Sequence, residues 1–270
     1  MQQYEIKLLY KIKNSETMKT NAENGHKKCS GIFSKRAFLI LTMAAGIVLA
    51  VTSCKTTKEE AAPQWKQLFN GKDLTGWKHV GPGEQYVDSG VIKSHGGMGL
   101  LYWTGGKFAN CKIKVVYRMR DENSNSGVFI RIPIEPREEW MPVFYGYEVQ
   151  IDNKPELSGE NDYHYTGTLY SLTKPLAKPG KPGPEWNTME ITMCGPRTIV
   201  SVNDQKVTDY TEGDPVPERK FDFEPFHGPR PDSGYIGLQN HSDQDVVFFK
   251  QVEERPLSKE EIAELCGPKK

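Results

Sequence analysis

The feature that most constrains this fold is a series of short extended runs separated by glycine and proline. The runs are rich in β-branched and aromatic residues, which is typical of strands: Lys112–Arg120, Gly127–Ile134, Gly146–Ile151, Glu190–Met193, Thr198–Asn203, Gly234–Asn240 and Val246–Glu253. The chain contains 25 Gly and 18 Pro, residues that interrupt strands and form turns. Because no helical period lies between the runs, the sequence predicts an all-β antiparallel sandwich or barrel.

A helix is expected only near the C-terminus, and two long loops are expected before it. Ser258 is a candidate N-cap, Glu261 its capping-box partner and Gly267 the stop signal. The segment 174–185 is too rich in proline and glycine for a sheet. The segment 211–231 contains the aromatic sequence FDFEPF, and a long loop of this kind on a rigid sheet is usually functional.

The N-terminal part has the pattern of an export signal. Basic Lys35-Arg36 precedes an apolar stretch, Ala37–Val51, that is too short for a comfortable membrane span. The sequence Val51–Cys54 resembles a lipobox, although an ordinary signal peptide with a chance cysteine remains an alternative. We therefore expect a lipoprotein anchored through Cys54, at the periplasmic face or the outer membrane of a Gram-negative bacterium.

These patterns predict four parts of the chain. Residues 1–53 form the leader, with the signal peptide at about 35–53, and residues 54–64 carry the lipid and a polar tether. Residues 65–256 form the β domain, and residues 257–270 form a helical tail.

Charge and cysteine content exclude some classes of partner. The chain has 35 basic and 35 acidic residues, so a nucleic-acid partner is not expected. Cys111, Cys194 and Cys266 are odd in number and widely spaced in the predicted domain, so they do not predict a disulfide framework. The Asp121-x-Asn123-x-Asn125 sequence lacks the Gly and Glu of a calcium loop and indicates a turn. No cofactor is predicted, a divalent metal is left open, and the oligomeric state is not specified.

The sharpest candidate site is the strand Tyr147–Asp152. Alternation places Glu148, Gln150 and Asp152 on one face and the two branched aliphatic residues on the core face. Carboxylates on an open sheet can perform acid–base chemistry on sugars. The alternative is the solvated outer face of an amphipathic strand.

Further candidates lie on a second strand and among aromatic residues. Arg131 should share an exposed face with Phe129, where it could bind carboxylates or sugar oxygens. His164 and His241 are candidate proton carriers. Aromatic residues could stack on sugar rings, Trp103 and Trp140 among them, whereas Trp65, Trp77 and Trp186 are expected in the core.

Six ordered motifs resemble one known family. They are LFNGKDLTGW (68–77), NSGVFIR (125–131), GYEVQIDN (146–153), TGTLY (166–170), EWNTMEI (185–191) and GYIGLQNH (234–241). Together they resemble the 3-keto-disaccharide hydrolase domain family over roughly residues 65–256. The resemblance implies a concanavalin A-like jelly roll of two curved antiparallel sheets with sugar bound across one face. It also implies that the variable loop 154–165 sets specificity.

The resemblance further implies action on glycosides that carry a ketone at C3. Such a ketone acidifies the C2 hydrogen, so a base can remove it, the C1 substituent can leave, and water can add back. We expect Glu148 as base or acid, Asp152 or His241 as its partner, and Arg131 or a bound metal at the enolate oxygen. Substrate-binding candidates share aromatic or hydrogen-bonding side chains near these positions: Gln150, Phe129, Tyr147, His164, Tyr170, Trp140 and Trp103.

Two other functions remain open from the sequence. One is a carbohydrate-binding lipoprotein without catalysis, because this kind of sandwich also serves lectins. The other is a conventional retaining β-glucanase, which is disfavoured because Gln150 and Asp152 stand where a second glutamate would be needed.

Overall fold

The computed structural model describes residues 62–158 and 161–267, so the expected signal peptide and Cys54 lie outside the described residues. The strands of the described chain are β1 (Lys66–Gln67), β2 (Trp77–Val80), β3 (Glu84–Asp88), β4 (Val91–His95), β5 (Gly99–Trp103), β6 (Cys111–Met119), β7 (Ser126–Ile132), β8 (Tyr147–Ile151), β9 (Asn187–Cys194), β10 (Arg197–Val202), β11 (Gln205–Thr211), β12 (Tyr235–Asn240) and β13 (Val247–Pro256). The helices are α1 (Trp140–Tyr145) and α2 (Lys259–Leu265), and two 3₁₀ turns span Pro155–Ser158 and Asp162–His164.

The strands form two antiparallel sheets. The eight-stranded sheet has the order β11-β10-β9-β6-β13-β4-β3, with β1 paired to β13 at its side. The five-stranded sheet has the order β2-β5-β12-β7-β8. Most strands that are neighbours within a sheet are distant in sequence, because the chain crosses repeatedly from one sheet to the other. The predicted all-β sandwich of the jelly-roll type is confirmed.

The core lies between the two sheets and follows the alternation of side chains. In β6, buried residues alternate with half-buried ones over its whole length. Val115 and Tyr117 of this strand belong to the same core cluster as Val149 and Ile151 of β8. Each such side chain contributes about 1.5–3 kcal/mol when fully buried, so this period-two pattern fixes which face of each strand points inward.

The C-terminal helix begins and ends as its sequence predicts. The Ser258 side chain accepts a hydrogen bond from the Glu261 amide, and the Glu261 carboxylate accepts from the Ser258 amide. The pKa of Glu261 is lowered to about 2, mainly because its carboxylate accepts hydrogen bonds from the Arg255 guanidinium. The capping box and the Arg255 pair therefore attach α2 to β13.

The expectation about the cysteines was wrong. Cys194, at the end of β9, forms a disulfide with Cys266, which directly follows α2. Cys111 is the free thiol of the described chain and is buried. The pairing depends on where the tail docks, which residue spacing alone does not reveal.

Two further expectations need correction. α1 was not predicted, because six residues are too few to show a helical period. Of the three tryptophans expected in the core, Trp77 is buried, whereas Trp65 and Trp186 are only partly buried. Both lie beside cationic side chains on the outer face of the eight-stranded sheet. Across residues 62–158 and 161–267, no helix has the length and apolar character needed to cross a bilayer.

The disulfide generates a stability prediction. It joins residues 72 positions apart, and closing a loop of that length stabilises a fold by about 2–4 kcal/mol, mainly by restricting the unfolded chain. The double variant Cys194→Ser/Cys266→Ser should therefore lose about this much free energy of unfolding in urea. Reducing agent should lower the wild-type midpoint and leave that of the double variant unchanged. An unchanged wild-type midpoint under reduction would show that the bond contributes nothing.

Candidate functional site

A pocket lies on the face of the five-stranded sheet that points away from the eight-stranded sheet. On β8, Val149 and Ile151 face the core, so Glu148 and Gln150 point to the opposite side. The pocket has a volume of about 200 Å³. It is lined by Met98, Asn125, Trp140, Val143, Glu148, Gln150, Tyr170, Phe223, Gln239 and His241.

Glu148 occupies its position because the neighbouring strand offers a glycine there. Gly127 on β7 pairs with Gln150, two residues after Glu148 on β8 and on the same face of the sheet. A Cβ atom on Gly127 would lie 2.5 Å from the Glu148 Oε1 atom and 2.6 Å from its Cγ. The Glu148 side chain therefore lies across Gly127, and it is 6 % exposed. Such a carboxylate is largely withdrawn from solvent.

Three side-chain amides lie next to this carboxylate in the pocket. The Gln150 Nε2 atom donates to the Asn125 Oδ1 atom at 3.0 Å. The Oε1 atoms of Gln150 and Gln239 are buried and have no hydrogen-bond partner within the described chain. Buried amide oxygens are normally paired with a donor. These two therefore favour a ligand that carries hydroxyl groups.

A histidine held by a carboxylate lies at the same pocket. The His241 Nδ1 atom donates to the Asp245 Oδ2 atom at 2.7 Å, and the Ser242 hydroxyl donates to the same oxygen. The Asp245 Oδ1 atom accepts from the Asn125 amide at 2.7 Å. With its Nδ1 proton fixed in this way, a neutral His241 carries its basic site on Nε2.

The pKa of Asp245 reflects this network. Burial pushes the pKa of this carboxyl upward, but the hydrogen bonds from His241 and Ser242 outweigh burial and bring it below its ordinary value. Asp245 is therefore ionised at neutral pH and can stabilise a protonated His241. Asp245 could not be identified from the sequence, because a carboxylate in a short turn after a strand carries no periodic signal.

Aromatic side chains form the wall and the rim of the pocket. Tyr170 lines the wall, and Trp140 and Phe223 are 39 % and 46 % exposed. Phe223 stacks on Phe221 with ring centroids 5.1 Å apart. Trp140 and Tyr170, expected to bind substrate, and Phe223 of the loop 211–231, which was not singled out, thus line the pocket, and their contact with a substrate stays a prediction.

Arg131 does not reach the pocket, and the expectation that it shares an exposed face with Phe129 was wrong. Its φ is +53° at a β-bulge between β7 and β12. A Cβ on Gly234 would lie 2.3 Å from the Arg131 carbonyl carbon, so only glycine allows this approach. The bulge turns the Arg131 side chain toward the eight-stranded sheet, where it donates to the Thr198 hydroxyl and the Gly195 carbonyl.

Other predicted residues also lie away from the pocket. The strand ends at Ile151, so alternation does not extend to Asp152, which is 4 % exposed and accepts from the Lys154 amide. Tyr147 faces the core because it shares the parity of Val149. Both placements correct the expectation that these side chains meet the substrate.

The remaining three candidates support the pocket from a distance or lie elsewhere. Phe129 is the cross-strand partner of Glu148 on the neighbouring strand, but its side chain is fully buried and does not line the pocket. The His164 ring packs against Tyr170 with centroids 4.7 Å apart. Trp103 packs edge-on against Trp77 at the core. Sequence periodicity does not distinguish such supporting positions from contact positions.

A metal site was left open by the sequence. Among residues 62–158 and 161–267, no three His, Cys, Asp or Glu side chains are grouped so that they could hold a metal ion. The residues that line the pocket can supply one carboxylate, one imidazole and several amides to a ligand.

Comparison with protein families agrees with the resemblance noted from the motifs. Residues 64–254 match the family of 3-keto-alpha-glucoside-1,2-lyase-like domains. The comparison with curated proteins found no match.

Solved structures share the fold. One crystal structure of a candidate glycosyl hydrolase from Parabacteroides distasonis is 25% identical, covers 72% of this chain and 94% of that chain, and has a TM-score of 0.59. A second from the same organism is 23% identical, covers 72% of this chain and 100% of that chain, and has a TM-score of 0.57. A third is 22% identical with coverages of 81% and 100% and a TM-score of 0.52.

The placement of Arg131 generates a prediction about stability. Arg131→Met should lower the free energy of unfolding by at least about 2 kcal/mol, because buried carbonyls lose their donor. Urea unfolding checks this, with Arg120→Met as the control, since Arg120 is exposed and its ion pair with Asp121 and hydrogen bond to the Gln244 carbonyl are at the surface. Equal losses in both variants would contradict a buried structural role for Arg131.

The lowered pKa of Asp245 generates a prediction about pH. A carboxyl whose folded pKa lies below its unfolded value of about 3.9 stabilises the fold above that pH and loses the effect as pH falls through the folded pKa. The stability difference between wild type and Asp245→Asn should thus be full at pH 5 and shrink below pH 4. Asp243→Asn in the same turn is the control. A difference that does not vary with pH would contradict the assignment.

Proposed function

The chain belongs to the family of 3-keto-alpha-glucoside-1,2-lyase-like domains, and from this premise we propose that its pocket cleaves glycosides whose sugar carries a ketone at C3. One observation carries the proposal. A single pocket combines a carboxylate withdrawn from solvent, a histidine held by a second carboxylate, and buried amide oxygens that have no hydrogen-bond partner among the described residues. Acid–base work on a hydroxyl-rich ligand requires these groups.

The proposed reaction begins with removal of a proton. Glu148 takes the C2 hydrogen, which the neighbouring C3 ketone has made acidic, and the electron pair becomes an enolate. The C1–O bond then breaks, and the departing oxygen takes a proton from the Nε2 atom of a protonated His241, the form that Asp245 stabilises. Water then adds to C1 of the resulting enone and gives a proton to His241, while Glu148 delivers a proton to C2; hydrolysis is complete and both groups regain their starting protonation states.

The charge that develops on the ketone oxygen needs hydrogen-bond donors. Arg131, the earlier candidate, is held away from the pocket by four hydrogen bonds, three to β10 and the turn before it and one to the Pro231 carbonyl. The pocket instead offers the side-chain amides of Asn125, Gln150 and Gln239. Hydrogen-bond donors fixed in a site withdrawn from water stabilise a developing negative charge more strongly than the same groups do in solution.

The size of the pocket favours a single sugar residue. Its volume of about 200 Å³ is below the range of about 300–1,000 Å³ that is typical for drug-sized ligands. The ketone sugar would enter the pocket, and the leaving group would extend past the exposed rings of Trp140 and Phe223. Aromatic faces can stack on the apolar side of a sugar ring.

The other functions have less support. A retaining glucanase needs two carboxyls about 5–5.5 Å apart, and Glu148 is the one carboxylate that lines the pocket within the described part of the chain. Binding without catalysis is compatible with the aromatic rim, and an activity assay on oxidised and native glycosides distinguishes it.

Export and lipidation at Cys54 remain predictions that labelling with a radioactive fatty acid can test.

Activity on oxidised and native glycosides tests the proposal. The full-length protein should release the leaving group from a 3-keto-glycoside and not from the native glycoside. Glu148→Gln should reduce the rate by about 10²–10⁴-fold, as expected for loss of a general base, while the control Glu260→Gln on α2 should retain the wild-type rate.

Three results would contradict the proposal. Turnover of neither substrate, with binding detected by calorimetry, would support a sugar-binding protein. Turnover of the native glycoside would support a conventional glycosidase. A Glu148→Gln variant with the full rate on the oxidised substrate would show that another group is the base.

A further inference from the structure

A row of alternating aromatic and cationic side chains crosses the outer face of the eight-stranded sheet. Register places Tyr86 opposite Lys93, Lys93 opposite Phe248, and Phe248 opposite Arg118, on β3, β4, β13 and β6. Trp186, just before β9, continues the row. The row is on the opposite sheet from the pocket, so it has no role in the chemistry proposed above.

Each cation of the row lies over an aromatic ring. The Arg118 guanidinium is 4.0 Å from the centroid of Phe248 and 5.3 Å from that of Trp186. The Lys93 Nζ atom is 5.8 Å from the centroid of Phe248 and 5.7 Å from that of Tyr86. Such contacts hold a cation in place by about 0.5–1 kcal/mol each at exposed sites.

A β-bulge adds a third cation to the row. The register of β13 against β6 shifts between Phe249 and Gln251, so Lys250 is the extra residue. Bulges re-aim side chains that regular pairing would send to the other face. The exposed Lys250 ammonium lies 5.1 Å from the centroid of Trp186. We call Lys93, Arg118 and Lys250 the cation row.

At the other end of the same sheet, Lys114 and Arg255 also lie over an aromatic ring, that of Trp65, but the cations there have carboxylate partners as well. There Lys112 pairs with Glu190 at 2.8 Å, Lys114 lies 4.0 Å from Glu253, and Arg255 pairs with the α2 carboxylate Glu261. Within the described chain, no carboxylate oxygen lies within 4.0 Å of a nitrogen of the cation row. Carboxylate partners neutralise a cation, whereas aromatic partners localise it and leave its charge available to a ligand.

We propose that the cation row binds an acidic polysaccharide, a sugar polymer that carries carboxylate or sulfate groups at regular intervals. Lys93 and Arg118 lie on strands separated by β13, which sets their backbones about 9.5 Å apart. This spacing is close to the length of one disaccharide in an extended chain. The Lys93 ammonium and the Arg118 guanidinium at this interval complement one anionic group per disaccharide, and the Lys250 ammonium on the intervening strand β13 adds a third positive charge.

A flat polymer fits this surface better than a membrane does. Tyr86, Phe248 and Trp186 are partly buried beneath their cations, and none protrudes as an exposed large apolar side chain. Membrane-inserting surfaces instead present apolar side chains that enter the acyl boundary. The exposed aromatic residues of the described chain, Trp140, Phe221 and Phe223, lie at or beside the pocket on the other sheet.

Binding to chondroitin sulfate, measured by calorimetry with the full-length protein, tests the proposal. The wild type should bind chondroitin sulfate but not neutral dextran, and the affinity should fall as salt rises, because charges of this kind are screened over about 10 Å at 0.1 M salt. Arg118→Gln/Lys250→Gln should weaken binding at least about tenfold. The matched control Lys112→Gln/Lys114→Gln removes the same charge and should stay within about twofold of wild type.

Several outcomes would overturn the proposal. They are no binding by the wild type at low salt, equal losses in the two double variants, and binding to vesicles of phosphatidylglycerol in place of the polysaccharide. Thermal melting checks that each variant is folded. If the Arg118→Gln/Lys250→Gln variant is unfolded, Lys250→Gln alone gives the test, because Lys250 is exposed, and wild-type affinity in that variant would equally overturn the proposal.

Discussion

The antiparallel pairing of β7 with β8 is the constraint on which the site depends. This register sets Gly127 opposite Gln150 and Phe129 opposite Glu148. Because side chains alternate across a strand, a slip of one residue would send Glu148 into the core and Val149 to the surface. The buried aliphatic side chains of β8 oppose such a slip, and the glycine leaves the space that the Glu148 side chain occupies. The same strand register therefore packs the core on one face of β8 and positions the Glu148 carboxylate on the other.

A network of hydrogen bonds connects β8 to the other polar residues of the pocket. Asp245 holds His241 through one oxygen and the Asn125 backbone through the other, and the Asn125 side chain accepts from Gln150. The turn after β12 is thus connected to β8 through the residue that precedes β7. Groups whose orientations are fixed before a ligand arrives lose little entropy when it binds. The proposed base and acid belong to one connected arrangement.

Features that depend on local periodicity or helix capping can be predicted from the sequence. Side-chain placements that depend on contacts between distant segments cannot. The period-two pattern of β8 correctly separates Glu148 and Gln150 from the core, and the same parity should have excluded Tyr147. The side chain of Arg131 could not be placed, because the bulge that turns it depends on the close approach of Gly234 from another strand. The Cys194–Cys266 pairing and the role of Asp245 likewise follow from contacts that only the folded chain creates.

Incorporation of deuterium at C2 is the most direct test of the central claim, that this pocket removes the C2 hydrogen with Glu148. A 3-keto-glycoside is incubated with the protein in D₂O, and the product is analysed by NMR against a sample without protein. We expect deuterium at C2 of the released sugar with the wild type, and with Glu148→Gln only the background level of the sample without protein. Released sugar that retains its original hydrogen at C2 would contradict that claim.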